Sequence, residues 1–388
     1  MNPKYDDIAP LYDHEVEKTI KELIEDPGFF HAVKYVFPGL EWEEFANQIS
    51  KLKTKFDFQT KIISPFIGAV VRRTSKSVNS SGWDNINKQD KYLYLSNHRD
   101  IILDAGLLNI TLDEHGYDTT EIAIGDNLLV YPWIEKLVRL NKSFIVKRGV
   151  SVRQMLEVSK HLSEYIHYAI TKKKQSVWLA QREGRAKDSN DRTQLSLLKM
   201  LTLAPEGVSF IDSLKELNII PLSISYEYDP CDYLKAQEFQ MKRDDPEYKK
   251  SQRDDLINME TGLLNYKGHI HFQFGKQINE DLDKLKDTDK KLQIEAAANC
   301  IDRQIHLNYR FYPCNYVAYD LLNKTQRFRK EYTDDDIADF KEYLNKQIEK
   351  IDIPNKDCDF LQEKMLVMYS NTLKNHLEAK ENYDYIVK

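Results

Sequence analysis

Between residues 92 and 226, short apolar runs alternate with stretches whose apolar residues recur at helical spacing, and this rhythm constrains the fold more than any other feature. The runs 92–95, 121–124, 143–146, 176–180 and 219–226 read as strands, with helical patterns between most of them. Strands that alternate with helices in this way make the expected class α/β, a sheet with flanking helices. In such a sheet, chemistry gathers outside the carboxyl ends of the strands. Past Gly268 the pattern becomes strict alternation, His269-Ile270-His271-Phe272-Gln273-Phe274-Gly275, the mark of a strand with one buried face. His269 and His271 fall on the polar face. Two histidines at this spacing can ligate a metal, but no nearby carboxylate or cysteine completes a set, so they read as solvated strand residues.

Helical periodicity flanks this region on both sides. Val16, Ile20, Leu23 and Ile24, then Phe29, Val33, Val36 and Phe37 after Asp26-Pro27-Gly28, predict two short helices joined by a Pro-Gly turn. Trp42, Phe45, Ile49, Leu52 and Phe56 form the seam of a further amphipathic helix flanked by Lys51, Lys53 and Lys55. That seam is expected to pack on the main domain. A membrane-surface helix with snorkelling lysines is the sharper alternative, supported by Ile62-Ile63-Ser64-Pro65-Phe66-Ile67 and Arg72-Arg73. Residues 74–82 read as a serine-rich linker. Beyond Gly275 the segments 292–307, 334–351 and 360–377 are helical and carry no chemical motif. The expected organisation is a helical region 1–80, an α/β domain 81–277 and a helical region 278–388.

Composition bounds the function. A chain of 388 residues with 30% charged residues and a net charge of −6 has an ordinary surface, with no global attraction for nucleic acid. Any anion site must be local. Cys231, Cys300, Cys314 and Cys358 show no paired spacing, which suggests neither a zinc site nor a disulfide framework and fits a reducing cytoplasm. No metal or cofactor is implied. No window reaches the ~18 apolar residues of a spanning helix, so contact with a membrane, at the inner face of the cell membrane, would be peripheral.

Four segments could carry chemistry. Leu95-Ser96-Asn97-His98-Arg99-Asp100-Ile101-Ile102-Leu103-Asp104 places a histidine and two carboxylates where a strand ends and a helix begins, with Asn97 available as a cap. Alone it is weak, because His and Asp co-occur at surface turns. Phe144-Ile145-Val146-Lys147-Arg148-Gly149 ends a strand with two cations, fit to grip a phosphate or simply to be solvated. Val177-Trp178-Leu179-Ala180 runs into Gln181-Arg182-Glu183-Gly184-Arg185-Ala186-Lys187, three more cations at a second strand end. Ile219-Ile220-Pro221-Leu222-Ser223-Ile224-Ser225-Tyr226-Glu227 is an apolar strand opened by a proline, suited to wall an acyl pocket or to fill the core.

In this order the four segments resemble the glycerolipid acyltransferases, the glycerol-3-phosphate and lysophosphatidate acyltransferases, over roughly residues 92–275. Asn97-His98, Phe144-Ile145 with Lys147 and Arg148, Glu183-Gly184-Arg185 and Ile220-Pro221-Leu222 occupy the family's blocks, and Phe272-Gln273-Phe274-Gly275 looks like its closing strand. Ser223-Ile224-Ser225-Tyr226-Glu227 is similar to the glycerol-3-phosphate branch. Two spacings depart: Asp104 lies one residue further from His98 than in the family, and Arg185 follows Gly184 directly. Arg182 also replaces a proline before Glu183. The resemblance implies transfer of a fatty acyl group from acyl-CoA or acyl-ACP (acyl carrier protein) to glycerol 3-phosphate or lysophosphatidate in phospholipid synthesis. His98 would be the general base and Asp104, or else Asp100, its partner. Lys147, Arg148, Glu183, Gly184 and Arg185 would hold the acceptor phosphate, and Ile220, Pro221 and Leu222 the acyl wall. The chemistry agrees, since a histidine oriented by a carboxylate can take the proton of an attacking hydroxyl. The alternatives are a binding or scaffold protein on a degenerate acyltransferase fold, and an O-acyltransferase for another lipid acceptor such as an aminoacyl lipid. A hydrolase would need a Gly-x-Ser-x-Gly elbow, which is missing.

Overall fold

The computed structural model describes residues 2–381. Seven strands form one sheet: β1 (Ser77–Ser81), β2 (Leu93–Ser96), β3 (Glu121–Gly125), β4 (Ser143–Val146), β5 (Val177–Ala180), β6 (Ile219–Tyr226) and β7 (His269–Phe274). Their order is β1-β7-β6-β2-β5-β3-β4. β2 to β6 run parallel, and only the β6–β7 pairing is antiparallel. The carboxyl ends of β2 to β6 therefore share one edge. β2 lies between β5 and β6, with Leu95 in register with Leu179 and Pro221, so the residues after Ser96 leave the middle of that edge.

Both faces of the sheet are covered, as parallel strands require. Leu93, Leu95, Leu179 and Ile219 pack against the helices Val152–Thr171, Leu195–Leu201, Phe210–Glu216 and Lys290–Leu307. Tyr94, Trp178, Ile220, Leu222 and Ile224 pack on the other face, against Ser64–Thr74 and Leu103–Glu114. Pleat alternation thus sorts neighbouring residues of one strand to two cores. Ile220 and Leu222, expected to wall an acyl pocket or fill the core, are fully buried and fill the core, and Pro221 between them is buried too.

The N-terminal helices Val16–Ile24, Pro27–Val36 and Trp42–Ile49 share a core with Leu137 and Leu140 of the helix Pro132–Leu140. Asp26 caps the second helix, its Oδ1 accepting from Gly28 N at 2.8 Å, with Pro27 at the first helical position. The expected long seam breaks after Ile49, because Thr54 caps a new turn through Asp57 N. Ile49 and Leu52 nevertheless point into the shared core, while Phe56 stays exposed. Among the described residues no helix is long and apolar enough to cross a membrane.

Two expectations require correction. The serine-rich segment is no linker: it contains β1, which pairs with β7 in parallel. The β7 histidines are only half-exposed and pair with β1: Ser77 Oγ lies 2.8 Å from Nδ1 of His269 and Ser81 Oγ 2.8 Å from Nε2 of His271. Polar side chains on β1 satisfy polar side chains on β7, and the strand needs no apolar alternation. In the C-terminal region the helix Pro313–Asn323 adds to the expected ones, packing with Asp232–Asp244, Asp334–Glu349 and Cys358–Glu381 around Phe340, Leu361 and Met365.

Candidate active site

Two residues beyond β2 stands His98, and Asn97 anchors the loop beneath it. The Asn97 amide donates to Ile224 O and accepts from Ile224 N, both at 2.8 Å, which continues the β2–β6 ladder past the strand end. Asn97 is therefore a ladder residue and not a helix cap. Nδ1 of His98 lies 2.8 Å from Oδ2 of Asp104, in the first turn of Leu103–Glu114. The Asp104 carboxylate is fully buried and also accepts from Arg99 N at 2.6 Å and Asp100 N at 3.1 Å. Charge-assisted bonds of this kind hold a carboxylate in one orientation. The His98 ring meets Trp178 edge-on at 5.4 Å, and Trp178 Nε1 donates to Ser96 Oγ at 3.0 Å. Nδ1 is thus engaged, while no hydrogen bond from the described residues reaches Nε2.

Asp100, the alternative partner, serves elsewhere. Its Oδ1 accepts from Ile102 N at 2.9 Å and Leu103 N at 2.7 Å, so it closes the turn that leads into the helix. Burial and the neighbouring Asp104 push its pKa up, against the pull of Leu103 N–H, Arg185 and Lys267. A methyl group on Gly262, in the helix Gln252–Leu264, would collide with this carboxylate. At the end of β6, Tyr226 is buried facing Asp104 and Asp100; burial and both charges keep its phenol protonated.

The expected phosphate-binding residues are not all brought to one place. Arg148 crosses tightly over Gly125, where a β-carbon would lie 2.7 Å from its Nε, and its Nη1 is 3.6 Å from Glu183 Oε1. Glu183 is exposed, and this ion pair is its contact with Arg148. Gly184 has φ +66, a left-handed conformation that favours glycine although a β-carbon there would meet nothing. Arg185 turns inward. Its Nη2 donates to Asn258 Oδ1 at 2.7 Å, and its guanidinium faces Cys231, Asp229 and Asp100. Lys147 is not brought together with Arg148: its Nζ pairs with Asp7 at 2.6 Å, and it lines a cavity of about 620 Å³ with Ile8, Val158 and Leu162.

The partners that hold the site together are distant in sequence and give no local signal. Asn258 belongs to a helix between β6 and β7, and Asp229 follows β6, where it pairs with the buried Lys235. Among the described residues no group of three or more His, Cys, Asp or Glu is placed to hold a metal.

Comparison with known proteins adds to this geometry. No curated protein matches the chain. Among solved structures, that of the 1-acyl-sn-glycerophosphate (LPA) acyltransferase, PlsC, from Thermotoga maritima is similar at 12% identity over 74% of this chain and 95% of that one, with a TM-score of 0.37. Residues 77–224 match the acyltransferase family model, a span that starts with β1 and includes His98, Asp104, Arg148 and Arg185. The segment 77–224 is thus similar to the acyltransferase family.

Proposed function

We propose that this enzyme transfers a fatty acyl group from a thioester, acyl-CoA or acyl-ACP, to the hydroxyl of glycerol 3-phosphate or its 1-acyl product, at the inner surface of the cell membrane. The observation that carries this reading is the His98–Asp104 pair at the carboxyl edge of the sheet. With Nδ1 bound to Asp104, a neutral His98 presents Nε2 as a base. It takes the acceptor's hydroxyl proton as the oxygen attacks the thioester carbonyl, and the imidazolium formed is stabilised by the carboxylate. Collapse of the tetrahedral intermediate expels the thiolate, to which the imidazolium returns the proton. Arg148, turned by Glu183, is the cation offered to the acceptor phosphate.

One observation favours a second acceptor class. Arg185 is held by Asn258 and faces three acidic or thiol groups, which leaves less positive charge for a phosphate. An uncharged or zwitterionic lipid alcohol, such as an aminoacyl lipid, suits that arrangement. The deciding experiment incubates the purified full chain with acyl thioesters and a panel of glycerol 3-phosphate, lysophosphatidate and hydroxylated aminoacyl lipids, with product masses as the readout. Acylation of a phosphorylated glycerol supports the first reading. Acylation confined to aminoacyl lipids supports the second, and no transfer to any acceptor defeats both.

A further inference from the structure

Beside the His98–Asp104 pair runs a buried polar chain that links the base to the C-terminal region. Arg99 is 4% exposed and Asp191 1%, far too enclosed for a surface ion pair. Their contact is two-pronged, Nη1 to Oδ1 at 3.3 Å and Nη2 to Oδ2 at 2.5 Å, the fork geometry that fixes a guanidinium in plane. Asp191 is itself held from the far side. The Tyr309 hydroxyl donates to its Oδ2, and His306 Nε2 lies 2.8 Å from its backbone oxygen. Two residues on, Thr193 donates from N and Oγ1 to Asp302 at 2.8 and 2.6 Å, which ties the same segment to the helix Lys290–Leu307.

The other end of Arg99 completes the connection. Its backbone N–H donates to the Asp104 oxygen that receives His98 Nδ1, at 2.6 Å. An arginine clamped by its side chain therefore presents its amide to the carboxylate that orients the base. The clamp sits in the loop between β2 and the helix Leu103–Glu114, and it fixes the backbone that carries the pair. Breaking one side of a buried pair also leaves the other charge uncompensated, so the clamp resists displacement.

We propose that Asp191 and Tyr309 are positioning residues for the His98–Asp104 pair, acting through Arg99, so that the C-terminal helical region is part of the catalytic scaffold. The catalytic half of this inference rests on the acyl-transfer reading; the geometric half does not. Tyr309 lies outside the segment 77–224 that matches the acyltransferase family, so the matched segment is incomplete as a catalytic unit.

The test compares Asp191→Asn, Tyr309→Phe and Asp104→Asn, singly and in pairs, in the full chain. Positioning predicts that Asp191→Asn lowers kcat by about tenfold or more, with acceptor KM within about twofold. It also predicts that Asp191→Asn adds little to Asp104→Asn, because both act on one carboxylate. Nitrogen-15 NMR of the His98 ring reads the same effect without turnover. The wild type is expected to hold the proton on Nδ1, and both variants to show a mixed tautomer. Tyr309→Phe removes a single hydroxyl and keeps the test open should Asp191→Asn fail to fold. His98 ring signals that superimpose on wild type in folded Tyr309→Phe overturn the proposal, as do kcat losses that multiply in the double variant. A wild type that transfers no acyl group, with ring signals shifted in the variants, supports the positioning and defeats the acyl-transfer reading alone.

Discussion

Nδ1 of His98 and Oδ2 of Asp104 stand 2.8 Å apart across the loop that joins β2 to the helix Leu103–Glu114. Asp100 closes the turn before the helix, which starts at Leu103, and Asp104 faces the ring. The loop geometry separates the two aspartates by function: one accepts from the histidine, the other from the helix's first amides.

His98→Ala is accordingly predicted to abolish acyl transfer while the protein stays folded. Asp104→Asn, which can reverse the ring tautomer, should lower kcat by about 10²–10⁴. Asp100→Asn should stay within about tenfold of wild type, because an asparagine Oδ1 accepts the same two amide hydrogens. Steady-state kinetics on the three variants decide. A larger loss at Asp100 than at Asp104 would reverse the assignment.

The arginines should separate in the same way. Arg148→Ala is expected to lower kcat/KM for a phosphorylated acceptor by about 1.5–3 kcal/mol, the worth of a charged hydrogen bond, with little change in melting temperature. Arg185→Ala removes the cation faced by Asp229 and Asp100 and should lower the melting temperature as well as activity. Calorimetry beside the kinetics tests this. An unchanged melting temperature for Arg185→Ala would mean that its side chain is free to serve a ligand.

Much of this arrangement was legible from residue order. The strands from β2 to β7 stand within a residue of their expected positions because buried strands are written as apolar runs, and His98 with Asp104 was visible as a motif. β1 was hidden because its serines answer histidines 192 and 190 residues away, leaving no apolar alternation to see. Asp191 was hidden for a related reason. It lies in Asp188-Ser189-Asn190-Asp191, which reads as an exposed polar loop, yet its partners Arg99 and Tyr309 are 92 and 118 residues distant. A buried ion pair of this kind has no local signature. Lys147 and Arg148 show the converse limit: adjacency at a strand end did not bring their side chains to one place.

Ile220 and Leu222 test whether the apolar strand serves the acyl chain or the core. Both are fully buried on the face covered by Leu103–Glu114, so replacing either with alanine should cost about 2–5 kcal/mol of stability. The preference among acyl-chain lengths should not change. Denaturant unfolding and a panel of acyl thioesters measure the two effects. A shifted chain-length preference with full stability would restore these residues to the acyl site.

Asp232 makes a prediction about pH. It opens the helix Asp232–Asp244, is fully buried, and accepts from Tyr343 and Tyr369 hydroxyls at 2.6 and 2.8 Å and from Tyr233 N at 2.6 Å. Burial, joined by Asp229, pushes its pKa up to about 7 against the pull of Tyr343, Tyr369 and Tyr233 N–H. In the unfolded chain the same group titrates near about 3.9. Between these values the folded protein keeps a proton that the unfolded chain releases, so this group's contribution to stability falls as pH rises from about 4 to about 7. The total fall is on the order of 4 kcal/mol. Asp232→Asn cannot titrate. The unfolding free energy of wild type relative to this variant should therefore decline across that window and level off above pH about 7. Urea midpoints measured for both proteins at intervals from pH 4 to pH 8 check the sign. A difference that rises with pH instead would place the charged carboxylate, stabilised by its tyrosines, in the folded protein throughout.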